Sequence, residues 1–324
     1  MRRVRVGVIF AMAVWCAGCT QHLDRPETLT LTHATRDAYT MQQNIVYTPV
    51  SWPQPLEADV YVPTSAGPFP GVLVIHGGGW AYGKRSHMNH IAERLAQRGY
   101  AVMNVSYRLA PAFQFPAQVQ DLQQAVRWMR QNAATYRIDP ARIGAFGYSA
   151  GGHLAELLGT ISPGDGGDKK TLGPHMRIQA VVAGGARTDL RKVPSGQWVP
   201  QFLGTTLDKN PAVFAHASPI VHVSPDDPPM FLYHGGSDTL VNVSHARAMK
   251  QALDTAGIPA ELHIAPGLGH TAAFASHDSA IEAGIAFLDR WLRPHENCCG
   301  RVRFIKARLR GFPRPATQWS ADHR

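Results

Sequence analysis

Cysteine is nearly missing from this chain of 324 residues, which carries four. Cys16 and Cys19 sit in the N-terminal segment and Cys298 and Cys299 are adjacent near the other end, so no disulfide framework can be read. Stability has to come from a hydrophobic core, and a chain of this length with 44% hydrophobic residues can bury a single substantial one. Charge is also scarce, at 17% Asp, Glu, Lys and Arg. The formal net charge of +9 is an end effect: Arg2, Arg3 and Arg5 open the chain, residues 300–324 add six Arg and one Lys against one Asp, and residues 19–299 sum to zero. A neutral body gives no steering toward nucleic acid or another polyanion. No apolar run reaches the ~20 residues of a bilayer span. No stretch repeats, and no histidine cluster, cysteine pair or acidic loop has metal-ligand spacing, so neither metal nor cofactor is expected.

The ends differ in kind from the body. Residues 1–19 begin with three arginines, continue as an apolar run and finish in Cys16-Ala17-Gly18-Cys19, the pattern of an export signal with small residues before a cysteine. The ending resembles the lipobox of bacterial lipoproteins, which implies a lipid anchor at Cys19 and a periplasmic or outer-membrane-associated location. Cys16 replaces the usual aliphatic residue, leaving soluble secretion as the alternative. Residues 20–43 are polar and read as a tether and lead-in, and residues 295–324 read as a basic tail that is solvated or touches anionic lipid or polysaccharide.

Between them, residues 44–294 read as one α/β domain. Strands are expected at 45–47, 58–62, 71–76, 101–107, 143–148, 179–183, 230–234 and 261–264. Helices are expected at 86–98, 116–136, 150–158, 244–256 and 279–292. Two leading strands followed by alternating strand and helix describe a mostly parallel sheet with an antiparallel start and helices on both faces. Residues 186–228 interrupt the alternation with Pro194, Trp198, Pro200, Phe202 and Phe214. Such an insertion either walls a substrate site or packs its own aromatics at the surface.

The chemistry centres on Gly147-Tyr148-Ser149-Ala150-Gly151, placed between an apolar strand and a helix. Glycine two positions either side of the serine permits a tight, strained strand-to-helix turn that lifts the hydroxyl out of the sheet. The helix start also aims the Ala150 N–H at charge developing on an attacked carbonyl. Upstream, the strand at 71–76 runs into His76-Gly77-Gly78-Gly79-Trp80, where successive glycines turn N–H groups of Gly78 and Gly79 inward as an oxyanion hole. A serine needs a base, and the base an acid to hold its tautomer. Asp238 and His270 follow in that order, each on a loop after a strand; Asp189 is the rival acid, and the Asp226-Asp227 pair a weaker one. His76, His153, His222, His234 and His263 lie on strands, turns or helix starts, where hydrogen-bonded packing is the better reading.

On these motifs the chain resembles α/β-hydrolases of the hormone-sensitive-lipase-like carboxylesterase group. The resemblance extends through Tyr107-Arg108-Leu109-Ala110-Pro111, Phe115-Pro116-Ala117 with Asp121, Ile138-Asp139-Pro140, and His153-Leu154-Ala155. Within the group it is most similar to bacterial feruloyl and acetylxylan esterase-like enzymes. Ala112 departs from the acidic residue usual after Leu-Ala-Pro, and Tyr148 from the common small residue or Asp. The resemblance implies Ser149, Asp238 and His270 as the triad, an Arg108–Asp121 ion pair, and a small-molecule or carbohydrate ester as substrate. Trp80 and Tyr148 are expected beside the substrate, Trp80 either stacking on a sugar or phenolic ring or packing under its loop. An arylformamidase, a small-peptide hydrolase and a non-catalytic binding protein on the same fold stay as alternatives.

Overall fold

The computed structural model describes residues 21–22, 36–161, 177–192, 196, 198–275 and 278–293. The expected export signal, Cys19, most of the lead-in, Cys298, Cys299 and the basic tail lie outside them. Nine strands form one sheet: β1 (Gln21–His22), β2 (Tyr39–Val46), β3 (Glu57–Pro63), β4 (Phe69–Ile75), β5 (Ala101–Val105), β6 (Ile138–Tyr148), β7 (Ala180–Gly184), β8 (Met230–Gly235) and β9 (Ala260–Ala265). Their spatial order is β1-β9-β8-β7-β6-β4-β5-β3-β2. The pairings from β5 through β4, β6, β7 and β8 to β9 are parallel, whereas β2, β3 and β1 join antiparallel. This is the α/β-hydrolase architecture.

The central strands are apolar on both sides because helices cover both faces. Leu73 and Ile75 of β4 pack with Leu122 and Ala125 of α2 (Ala117–Gln131) and Leu154 of α3 (Ala150–Thr160). Val72 and Val74 face the opposite layer, with Ile91 and Leu95 of α1 (Asn89–Gln97) and Ile281 and Ile285 further along the chain. The alternation within one strand therefore feeds two cores.

Several boundaries move. The lead-in contains structure: β2 begins at Tyr39, and Gln21–His22 hydrogen-bonds to β9 at the opposite edge. An edge strand is held by backbone pairing and needs no apolar face, and β2 is exposed along most of its length. The helix expected to reach residue 136 stops at Gln131, and a turn leads to Arg137 in the left-handed region at φ 53°. Among the described residues the insertion holds a 3-10 turn at Leu190–Lys192 and the short helices α4 (Trp198–Leu203), α5 (Pro211–His216) and α6 (Pro219–His222). Phe202, Leu203 and Phe214 are buried in the main core, so the insertion is part of the body. The chain then completes α7 (Ser244–Thr255), α8 (His270–Ala275) and α9 (Asp278–Leu292). Arg108 and Asp121 form the buried ion pair, with Arg108 Nε 2.8 Å from Asp121 Oδ1 and Trp52 Nε1 donating to the same oxygen.

Candidate active site

Ser149 sits between β6 and α3 with φ 57° and ψ −121°, a strained conformation for a residue with a side chain. The flanking glycines make it possible. A Cβ on Gly147 would lie 2.1 Å from the Gly151 carbonyl oxygen, and one on Gly151 would lie 2.1 Å from that of Ile75. The Ser149 N–H donates to Gly184 O at 2.7 Å, which ties the elbow to β7.

The oxyanion loop lies directly against the serine: a Cβ on Gly77 would meet Ser149 Cβ at 3.1 Å. Gly78 and Gly79 adopt φ 121° and 59°. No described residue accepts a hydrogen bond from the N–H of Gly78, Gly79 or Ala150, which leaves all three available to an anionic oxygen. His76 braces the loop from behind. Its Nδ1–H donates to Gly77 O at 2.8 Å and its ring stacks on Tyr107 at 4.3 Å; burial pushes its pKa down to about 4, so it serves as a neutral ring.

Of the two placements open for Trp80, a substrate platform and packing under its loop, the structure shows the second. Only 2% exposed, Trp80 stacks on Phe202 at 4.6 Å and donates from Nε1 to His153 Nδ1 at 3.1 Å. His153, pushed down to about 3 by burial, passes its own Nε2–H to Ala217 O at 2.8 Å. The ring beside the loop is instead Trp198. A Cβ on Gly79 would lie 2.7 Å from Trp198 Cε3, and the indole is half-buried. The sequence placed Trp198 in a possible wall but gave no signal that it touches Gly79, since that contact spans more than a hundred residues.

His270, the first residue of α8, receives the Ser149 hydroxyl at Nε2 (2.8 Å) and donates from Nδ1 to Asp238 Oδ2 (2.6 Å). Asp238 is buried, which by itself would raise its pKa. Hydrogen bonds from His234, His270 and the Val241 N–H outweigh burial and hold the carboxyl well below the usual range. Asp189 is elsewhere, accepting from Arg191 Nε at 2.8 Å and Nη2 at 3.0 Å. Asp227 accepts from Ser224.

Tyr148 also departs from the expected substrate contact. Its ring is 4% exposed, 5.2 Å from His270 and 4.8 Å from Phe274, and its hydroxyl donates to the His270 carbonyl at 2.5 Å. It holds His270 from beneath. Its polar tip satisfies a backbone carbonyl while its ring fills the space between the elbow and α8. Among the described residues no three His, Cys, Asp or Glu side chains converge as a metal site.

Among the proteins this chain is similar to, several are named as esterases. Esterase LipC of Mycobacterium tuberculosis is 31% identical over 214 residues, covering 63% of this chain and 53% of its own length. The chain thus spans about half the length of the esterases it matches in sequence. Among solved structures, a truncated carbohydrate esterase from gut microbiota superposes with a TM-score of 0.69 at 25% identity, over 79% of this chain and 97% of that one. An acetyl ester-xyloside bifunctional hydrolase from Caldicellulosiruptor lactoaceticus gives 0.62 at 27% identity, over 80% and 97%. The family model described as BD-FAE matches residues 58–253, from β3 through the elbow and Asp238 into α7. By that match, and on this sheet order, the chain belongs to the BD-FAE family of the α/β-hydrolase fold.

Proposed function

We propose that the protein is a serine carboxylesterase that cleaves short-acyl esters, with acetylated or feruloylated carbohydrate as the substrate class, through an acyl-enzyme on Ser149. The observation that carries this reading is the unbroken relay from the Ser149 hydroxyl through both nitrogens of His270 to Asp238, at 2.8 and 2.6 Å, facing three uncommitted N–H groups. His270 Nε2 takes the hydroxyl proton as Oγ bonds to the ester carbon, and the carbonyl oxygen becomes an anion held by Gly78, Gly79 and Ala150. The C–O bond to the alcohol then breaks, and the imidazolium returns its proton to the leaving oxygen. Water repeats the cycle on the acyl-enzyme and frees the acid and Ser149. Asp238 stays ionised throughout and fixes the Nδ1–H tautomer.

The short-acyl part is supported by how the insertion spends its apolar residues. Val199, Phe202, Leu203 and Phe214 turn into the core, leaving the half-buried Trp198 beside the oxyanion loop. A long acyl chain needs apolar wall for each CH₂, worth ~0.8 kcal/mol apiece, whereas one aromatic ring suits a sugar or phenolic alcohol. The solved relatives named for carbohydrate and acetyl esters lend the same direction. The test compares kcat/KM across nitrophenyl esters from acetate to decanoate and against the matching anilides, with Ser149→Ala as control. Acetate or propionate should lead and the Ser149→Ala protein should lose activity by about a thousandfold or more. A maximum at octanoate or beyond, or faster anilide cleavage, overturns the reading.

A further inference from the structure

The carboxylate of Asp238 has a second imidazole on it. His234, in β8 and 1% exposed, places Nε2 3.3 Å from Asp238 Oδ2 and 2.8 Å from Val241 O. Both partners are acceptors, so Nε2 carries the ring proton and shares it between them. Val241 closes the circuit by donating its own N–H to Asp238 Oδ1 at 2.8 Å, beside the Leu240 N–H at 2.9 Å. The other ring nitrogen, Nδ1, is buried with no hydrogen-bond partner among the described residues. A buried polar atom left unpaired is a cost that an apolar side chain in the same slot would avoid. What the imidazole adds in return is the Nε2–H.

We propose that His234 is a positioning residue for the triad acid, its shared Nε2–H holding the Asp238 carboxylate in the orientation from which Oδ2 serves His270. The inference rests on the reading of Asp238 as that acid. It sits four residues from Asp238, at the end of a central strand, so the donor is fixed to the sheet while Asp238 rides on a loop. A carboxylate with one donor fewer is more basic, and a more basic carboxylate stabilises the imidazolium of His270 more strongly. Losing the His234 donor should therefore do two things: loosen the orientation, which lowers kcat, and move the acid limb of the kcat/KM profile to higher pH.

The other charged or titratable groups around the pair are His270, Tyr148, Arg187 and His245. Burial raises the Tyr148 pKa above its ordinary value. Burial, with Arg187 nearby, lowers His245 to about 4. Neither they nor Arg187 changes charge between about pH 5 and 9, so Tyr148, His245 and Arg187 do not move the limb in that range.

The experiment measures kcat, KM and the pH profile on nitrophenyl acetate for His234→Phe, His234→Gln, Asp238→Asn and the double variant His234→Phe/Asp238→Asn. His234→Phe should lower kcat on the order of tenfold, leave KM within about twofold, and raise the acid limb by about half a pH unit. Glutamine can present an N–H at the position of Nε2, so His234→Gln should recover most of kcat and return the limb. Added to Asp238→Asn, the phenylalanine should cost nothing further, because its effect passes through the carboxylate. A His234→Phe protein with wild-type kcat and limb, whatever its melting temperature, overturns the inference, as does an equal loss in the Asp238→Asn background. If Asp238→Asn itself keeps wild-type activity, the reading of the triad acid fails instead.

Discussion

On the oxyanion side of Ser149, residues 76–83 are braced by rings: His76 on Tyr107, Trp80 between Phe202 and His153, and Trp198 against Gly79. On the acid–base side, Asp238 is braced by donors aimed at one charge, from Leu240, Val241, His234 and His270. The first region is assembled by packing between segments far apart in sequence. The second is largely assembled within eight residues, from His234 to Val241, with His270 as the distant member. Packing holds a backbone loop whose N–H groups must not move, whereas hydrogen bonds to a carboxylate set both its direction and its basicity. The two regions should therefore fail in different observables.

The largest expected effect lies on the charged side. Asp238→Asn removes the carboxylate that fixes the His270 tautomer and should lower kcat by about a thousandfold or more, while Asp189→Asn, paired with Arg191 away from the relay, should stay within about twofold. The measurement is steady-state hydrolysis of nitrophenyl acetate by both variants, and the reverse ranking would relocate the acid.

The packed side contains its own contrast, between two tryptophans. Trp80→Phe leaves the buried His153 Nδ1 without its donor and should cost about 1–3 kcal/mol of stability, read as a lowered midpoint in denaturant, with KM little changed. Trp198→Ala should do the opposite, keeping the midpoint while raising KM about fivefold for aryl or sugar acetates and hardly at all for ethyl acetate. Equal KM effects on both alcohols would remove Trp198 from the substrate wall.

A last effect, on stability and not on turnover, is read by pH. His76 and His153, lowered by burial to about 4 and about 3, bind protons more readily when unfolded, near 6.5. Their contribution is complete above about pH 6.5 and is lost as pH falls toward 4, by up to about 1.4 kcal/mol per group per pH unit. Asp238 has a depressed pKa, so its contribution is complete above the unfolded value near 4 and is lost only below it. Acidification from pH 6.5 to 4.5 should thus lower the melting temperature through the buried imidazoles, His76 and His153 on the oxyanion side and His245 near Asp238, and not through the Asp238 carboxyl, and His153→Gln should flatten that slope. A wild-type melting temperature constant over this interval contradicts the assignment.

The elbow was legible because its requirement is local: two glycines at fixed offsets from Ser149, each with a carbonyl oxygen 2.1 Å from where a Cβ would stand. The order Ser149, Asp238, His270 was legible for a related reason, each residue following a strand whose apolar run marks its end. The central strands read correctly since helices on both faces make them continuously apolar. The edge strands did not, because β1 and β2 are held by backbone pairing that leaves no mark in side-chain pattern.

What the sequence by itself determined is therefore the set of features whose cause lies within a few residues: the sheet class, the strained serine turn, the glycine loop, and the loop positions of Ser149, Asp238 and His270, which the fold brings within hydrogen-bond distance. Only the tertiary structure decided which ring lies against the oxyanion glycines. Trp80 is adjacent to the oxyanion glycines in the chain, yet its indole turns inward to His153 and Phe202. Trp198 is remote in the chain, yet α4, anchored by Phe202 and Leu203 in the core, sets its indole on Gly79. A side chain's neighbour across the fold depends on how helices and loops pack after the sheet has formed, and no local pattern encodes that choice.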